Sequence, residues 1–115
     1  MHELGITQTI VAIAAEHANG HPVQRVTLEV GKLTAILPDA IRFCFEVCCQ
    51  DTVLAGAQLE IIEKPGLARC QGCGNPVELD LPFGICDCGC RDLQIIQGEE
   101  LAIKTLELET EDLCV

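Results

Sequence analysis

Between Pro65 and Gly98 the chain changes character, because five of its nine cysteines, six of its ten glycines and three of its five prolines fall there. Only short apolar pieces separate them, so this stretch cannot build a conventional core and needs a staple. Cys70-Gln-Gly-Cys73-Gly is a strong half-site for one. Two residues between thiolates let both sulfurs reach a single ion while the backbone turns back, and Gly72 and Gly74 permit the tight turn. The second half, Cys86-Asp-Cys88-Gly-Cys90, is irregular, with three cysteines and no two-residue spacer. It leaves three pairings open: Cys86 with Cys88, Cys88 with Cys90, or Cys86 with Cys90.

A tetrahedral zinc site needs four thiolates. The favoured set is Cys70, Cys73, Cys86 and Cys88, since Gly89 then follows the second pair as Gly74 follows the first; Cys90 is the spare thiol and the alternative ligand. Four protein sulfurs leave no open coordination position, which makes such a zinc structural rather than catalytic. A disulfide or redox pair competes with this reading. A thioredoxin-like pair, however, sits at a helix N-terminus, whereas glycines flank Cys70 and Cys73.

An odd count of nine cysteines would suggest disulfides in a secreted chain of this size, but MHELGITQTI has no basic region followed by an apolar stretch. No apolar run approaches the roughly 20 residues that span a bilayer. The expectation is a cytoplasmic chain with reduced thiols and no membrane partner. Its 115 residues make room for one ordinary domain or a small domain with a stapled insert, which excludes a large multidomain enzyme. The formal charge of −11, about −13 with a four-thiolate zinc site, repels phosphate backbones and argues against nucleic acid as a partner.

Outside the insert the chain alternates helix and strand. Glu3 to Ala18 reads as a helix, with Leu4, Val11, Ala15 and Ala18 on one stripe and Ile6, Ile10 and Ile13 beside it; Asn19-Gly20 ends it. VQRVTLEVG, residues 23–31, has the period-two pattern of a half-buried strand, with Val26, Leu28 and Val30 inward. Pro38 to Gln50 reads as a second helix opened by Pro38 and Asp39. AQLEIIE and ELAIKTLELE supply two further strands, the last with a change of parity near Lys104-Thr105. The expected fold is α+β: a small three-stranded sheet with two helices, formed by residues 1–64 and 99–115, plus a zinc-ribbon-like four-cysteine insert over 65–98. The state is monomeric by default, with a weak dimer open through hinges at Pro65-Gly66 and Gly98.

A second chemical region opens the chain. The Met1 amine, the His2 amide nitrogen and the His2 imidazole can close fused five- and six-membered chelate rings about one ion, and the Glu3 amide can add a fourth nitrogen. A strong planar nitrogen field suits Ni(II) or Cu(II). A His at position two is more often an ordinary exposed residue, and His17 and His21 are weaker candidates still. Cys44, Cys48 and Cys49 read as small buried apolar residues of the second helix, and Cys114 as an exposed free thiol.

Met1-His2-Glu3-Leu4, VTLEVGKL, PDAIRFCFE, GLARCQGCG and CRDLQIIQGEELAIKTLELE, in this order and over essentially the whole chain, resemble the HypA/HybF family of nickel metallochaperones. The resemblance implies a nickel carrier and not an enzyme. It implies that Met1, His2 and Glu3 hold Ni(II) as cargo, that four thiolates hold structural Zn(II), and that residues 1–64 and 99–115 form a nickel-binding domain. It also implies docking with a HypB-type maturation GTPase and delivery to the [NiFe]-hydrogenase large subunit, or to urease. The family's usual second half-site is CxxC followed by Gly and a small polar residue; Gly89 and Cys90 match those two positions, leaving Cys86 and Cys88 one residue closer than usual. No phosphate-binding glycine loop is present, so GTP hydrolysis would belong to the partner. A zinc-ribbon adaptor without nickel, or a thiol redox protein, are the competing functions.

Overall fold

The computed structural model describes residues 3–109. The element order is α1 (Glu3–Ala18), β1 (Val23–Gly31), a 3-10 turn η1 (Lys32–Thr34), α2 (Pro38–Cys49), β2 (Gln58–Lys64), β3 (Gly66–Cys70), β4 (Pro76–Leu79), β5 (Leu93–Gln97) and β6 (Leu101–Leu108). Two three-stranded sheets result, ordered β2-β1-β6 and β4-β3-β5. The chain divides into two compact units, one of residues up to 28, 37–61 and from 102 on, the other of residues 29–36 and 62–101.

In the first unit, α1 stops at the left-handed Asn19 (φ 52) and Gly20 (φ 84), as the Asn-Gly signal requires. Its buried side is Thr7, Ile10, Val11, Ala14 and Ala18, while Leu4 and Ile13 are exposed. The inward stripe is therefore turned from the expected one. A threonine can occupy it because the Thr7 hydroxyl donates to the Glu3 carbonyl at 2.6 Å, leaving no orphaned polar atom. Helix α2 follows Leu37 in extended conformation, begins with Pro38 and buries Ile41, Phe45 and Cys49. Asp39 near its N-terminus accepts from Arg42 at 2.7 Å one turn on.

Val23, Val26, Leu28, Ile41 and Leu54 are all at most 1% exposed, a wholly aliphatic set. Each such side chain contributes roughly 1.5–3 kcal/mol of gross hydrophobic stabilisation. On β6, Ile103 is half-buried, Lys104 and Thr105 are both exposed, and Leu106 and Leu108 are half-buried again, so the parity changes where the alternation breaks.

The second unit is a small three-stranded antiparallel ribbon, in keeping with the expected four-cysteine insert. Gly66 lies opposite Leu79 and Cys70 opposite Leu93, with an irregularity between Leu67 and Ala68. It also has a minimal core: Leu33, Ala68 and Leu79 are buried, with Val77, Leu93 and Ile95 packed against them. Leu33 comes from η1, in what reads in the sequence as a mere connector. Three glycines make this possible. A Cβ on Gly31 would lie 1.9 Å from the Gly98 carbonyl oxygen, and one on Gly98 would meet Gly66 Cα at 2.7 Å and Leu33 at 3.0 Å. The Leu33 N–H donates to the Gly98 carbonyl at 2.8 Å across that contact. Among the described residues, no helix is long and apolar enough to cross a membrane.

Candidate metal centre

Cys70 is the last residue of β3, and its backbone opens a tight turn: its N–H donates to the Asn75 carbonyl and its carbonyl accepts from Gly74 N–H, both at 2.9 Å. Gly74 has φ +80, a conformation that costs a side-chain-bearing residue. The second turn repeats the device. Gly89 N–H donates to the Cys86 carbonyl at 2.8 Å, Gly89 has φ +92, and Cys86 N–H donates to the Cys90 carbonyl at 2.9 Å. The Gln71 N–H donates to the Asp92 carbonyl at 2.9 Å and ties one turn to the strand that follows the other.

These turns bring Cys70, Cys73, Cys86 and Cys88 together, with all four sulfurs within 4.8 Å of one another. Cys70 and Cys88 lie 3.6 Å apart, as do Cys73 and Cys86. Sulfurs at the corners of a tetrahedron with bonds near 2.3 Å are separated by about 3.8 Å, so the spacing fits a zinc ion. Cys70 and Cys86 are buried, while Cys73 and Cys88 are exposed. The Cys70 sulfur accepts the Gly72 and Cys73 N–H groups at 3.3 and 3.4 Å. Cys90 stands outside the group of four; its sulfur accepts the Asp92 N–H at 3.4 Å.

The electrostatics ask for a cation. The Cys73 N–H, followed by the Gly72 N–H and the neighbouring Cys88 and Cys73 thiols, holds Cys70 down to about 6 against the opposing effect of burial. At Cys88 the Cys90 N–H pulls the same way, but the thiols of Cys70, Cys86 and Cys73 outweigh it and push Cys88 up to about 12. Cys86 is likewise raised: the Cys88 N–H lowers it, but burial and the Cys73 and Cys70 thiols win. The Cys70 thiolate forms readily, and Cys86 and Cys88 then resist ionising. A divalent ion among the four removes that conflict, which is what an all-sulfur zinc set supplies.

The other candidates are placed differently. Met1 and His2 lie outside the described residues, as does Cys114; Glu3 is the half-buried first residue of α1. His17 and His21 are exposed, and neither joins a metal-sized group among the described residues. Cys44 and Cys48 are half-buried and Cys49 is buried on α2. Burial, with Cys48 alongside, pushes the Cys49 thiol up to about 11, as befits a core residue. Asp92 escaped sequence reasoning, although its backbone contacts both Cys90 and Gln71. Its position two residues after Cys90, like that of Gly72 after Cys70, is the signal for an N–H aimed at a sulfur.

A family model described as hydrogenase/urease nickel incorporation, metallochaperone, HypA, matches residues 1–108. The chain belongs to the HypA family. It is 65% identical over 115 residues to the hydrogenase maturation factor HypA of Nostoc punctiforme, covering 100% of both chains. It is 46% identical over 110 residues to that of Geobacter metallireducens, covering 95% of this chain and 100% of the relative. The fold is that of the solution structure of the Ni metallochaperone HypA from Helicobacter pylori, with a TM-score of 0.68 at 24% identity over 96% of this chain and 100% of that one. A second HypA solution structure matches with a TM-score of 0.70 at 27% identity, covering 96% and 98%. As a HypA-family metallochaperone the chain is a maturation factor and not an enzyme, and its work lies with the machinery that matures hydrogenase.

Proposed function

We propose that this HypA-family chain carries Ni(II) on its first three residues and delivers it during maturation of [NiFe]-hydrogenase, with Zn(II) held structurally by Cys70, Cys73, Cys86 and Cys88. The observation that carries the reading is the family match, which begins at residue 1 and so includes Met1-His2-Glu3. The Met1 amine, the His2 amide and imidazole nitrogens and the Glu3 amide then make up a planar nitrogen set suited to Ni(II). The zinc reading rests on the four-sulfur group and on its need for a cation. Zinc bound there supplies a cross-link for the small core around Leu33, Ala68 and Leu79. Docking with a HypB-type GTPase, transfer to the hydrogenase large subunit and a cytoplasmic setting complete the proposal.

The test is a calorimetric and spectroscopic titration of Ni(II) into the zinc-loaded chain, its His2→Ala variant and a form with one residue added before Met1. One nickel per chain, lost in both altered forms with zinc retained, is the expected result. Equal nickel affinity in all three would overturn the N-terminal clamp.

A further inference from the structure

The four-sulfur group leaves one thiol of its own segment unused. Cys90 is half-buried, and its sulfur sits beside the group: a Cβ built on Gly72 would lie 3.3 Å from the Cys90 sulfur and 3.6 Å from that of Cys70. The two sulfurs thus flank the same glycine. Cys90 also carries the accessory that the Cys70 sulfur has, a backbone N–H from the residue two positions on, here Asp92 at 3.4 Å. Such donors offset the charge of a metal-bound sulfur.

A single residue stands between Cys88 and Cys90. Gly89, at φ +92, separates them, and nothing lies within 4 Å of the place a side chain on it would take. Cys88 is exposed and lines an open cleft of about 520 Å³, together with Val77, Glu78, Ile85 and Asp87, so a released Cys88 side chain has room outside the group. Cys86 borders the same cleft but is buried, at 5% exposure, whereas Cys88 is exposed. We propose that Cys88 and Cys90 are interchangeable fourth ligands of the zinc, with Cys70, Cys73 and Cys86 as the fixed three. This rests on the four-thiolate zinc reading above. In the exchange the Cys90 thiol gives its proton to solvent as its sulfur bonds the ion, the bond from Cys88 breaks, and the Cys88 sulfur takes a proton from solvent. Ligand number and charge are conserved, and no oxidant or reductant is needed.

The consequence is a zinc site that survives loss of one ligand. The test compares the full-length chain with Cys86→Ser, Cys88→Ser, Cys90→Ser and the Cys88→Ser/Cys90→Ser double variant, measuring zinc content and affinity by chelator competition. Cobalt(II) substitution counts thiolates by charge-transfer intensity. Each of Cys88→Ser and Cys90→Ser should keep one zinc within about tenfold of the parent affinity and a four-thiolate cobalt spectrum, whereas the double variant and Cys86→Ser lose more than about 100-fold. A Cys88→Ser chain that binds as weakly as the double variant, or shows three thiolates, overturns the inference and leaves the zinc reading standing. A parent chain that binds no zinc overturns both. A second measurement needs no variant: limited iodoacetamide treatment of the zinc-loaded parent should yield zinc-retaining single adducts at either Cys88 or Cys90. Adducts confined to Cys90 would sink the exchange.

Discussion

The two units of this chain reach a folded state by different means. The unit with both helices buries Val23, Val26, Leu28, Ile41 and Leu54 almost completely. The other buries Leu79 at 6% and Leu33 at 9% exposure beside the small Ala68, and sets four sulfurs against each other at the end of its sheet. Apolar burial scales with volume, so a unit of that size has little to set against its conformational entropy. If zinc staples that small unit as proposed, one chain combines a metal-dependent element with a self-sufficient one, and the two should respond to different perturbations.

Removing the metal is the harshest way to break that contrast. Chelation of zinc, worth on the order of 10 kcal/mol of apparent folding free energy, should unfold β3, β4 and β5 while α1 and α2 remain. Hydrogen exchange resolved by segment reads this directly: loss of protection over 66–97 with protection retained over 7–18 and 38–49 is the expected pattern. Equal loss in both segments would erase the distinction.

A core truncation should give the reciprocal result. Ile41→Ala removes a side chain that is 0% exposed and should cost about 2–5 kcal/mol in denaturant unfolding followed by helix signal, with zinc content unchanged. A smaller effect sharpens the comparison through pH. The Cys49 thiol, raised by burial to about 11 from 9.0, favours its neutral form in the fold. Its contribution is fully present below pH 9 and is lost as pH rises through 11, at a cost of about 3 kcal/mol once the thiol ionises. Cys49→Ala should flatten that dependence in the helical unit, as seen in alkaline melts.

Much of the helical unit was legible because periodicity reports burial directly. Glu3–Ala18 and Val23–Gly31 appear with the ends their turn residues signal, and Pro38 opens α2. The facing of α1 was not, since a hydrophobic count cannot foresee that Thr7 satisfies its hydroxyl on Glu3 and takes an inward position from Leu4. Nor was the role of Leu33, a lone apolar residue in a short connector whose burial depends on partners more than thirty residues away in β3 and β4.

For the thiols, spacing alone marked Cys70 with Cys73 as a pair and left three ways to complete it. The chain by itself determined that this segment needs a staple, because no arrangement of its few apolar residues could make a larger core. The sequence pattern also carries the family, through motifs that run from Met1 to the closing strand. Only the tertiary structure decided which sulfurs meet. Bringing Cys86 and Cys88 opposite Cys70 and Cys73 depends on where β5 pairs with β3 and on two left-handed glycines, and such long-range geometry is absent from local residue spacing.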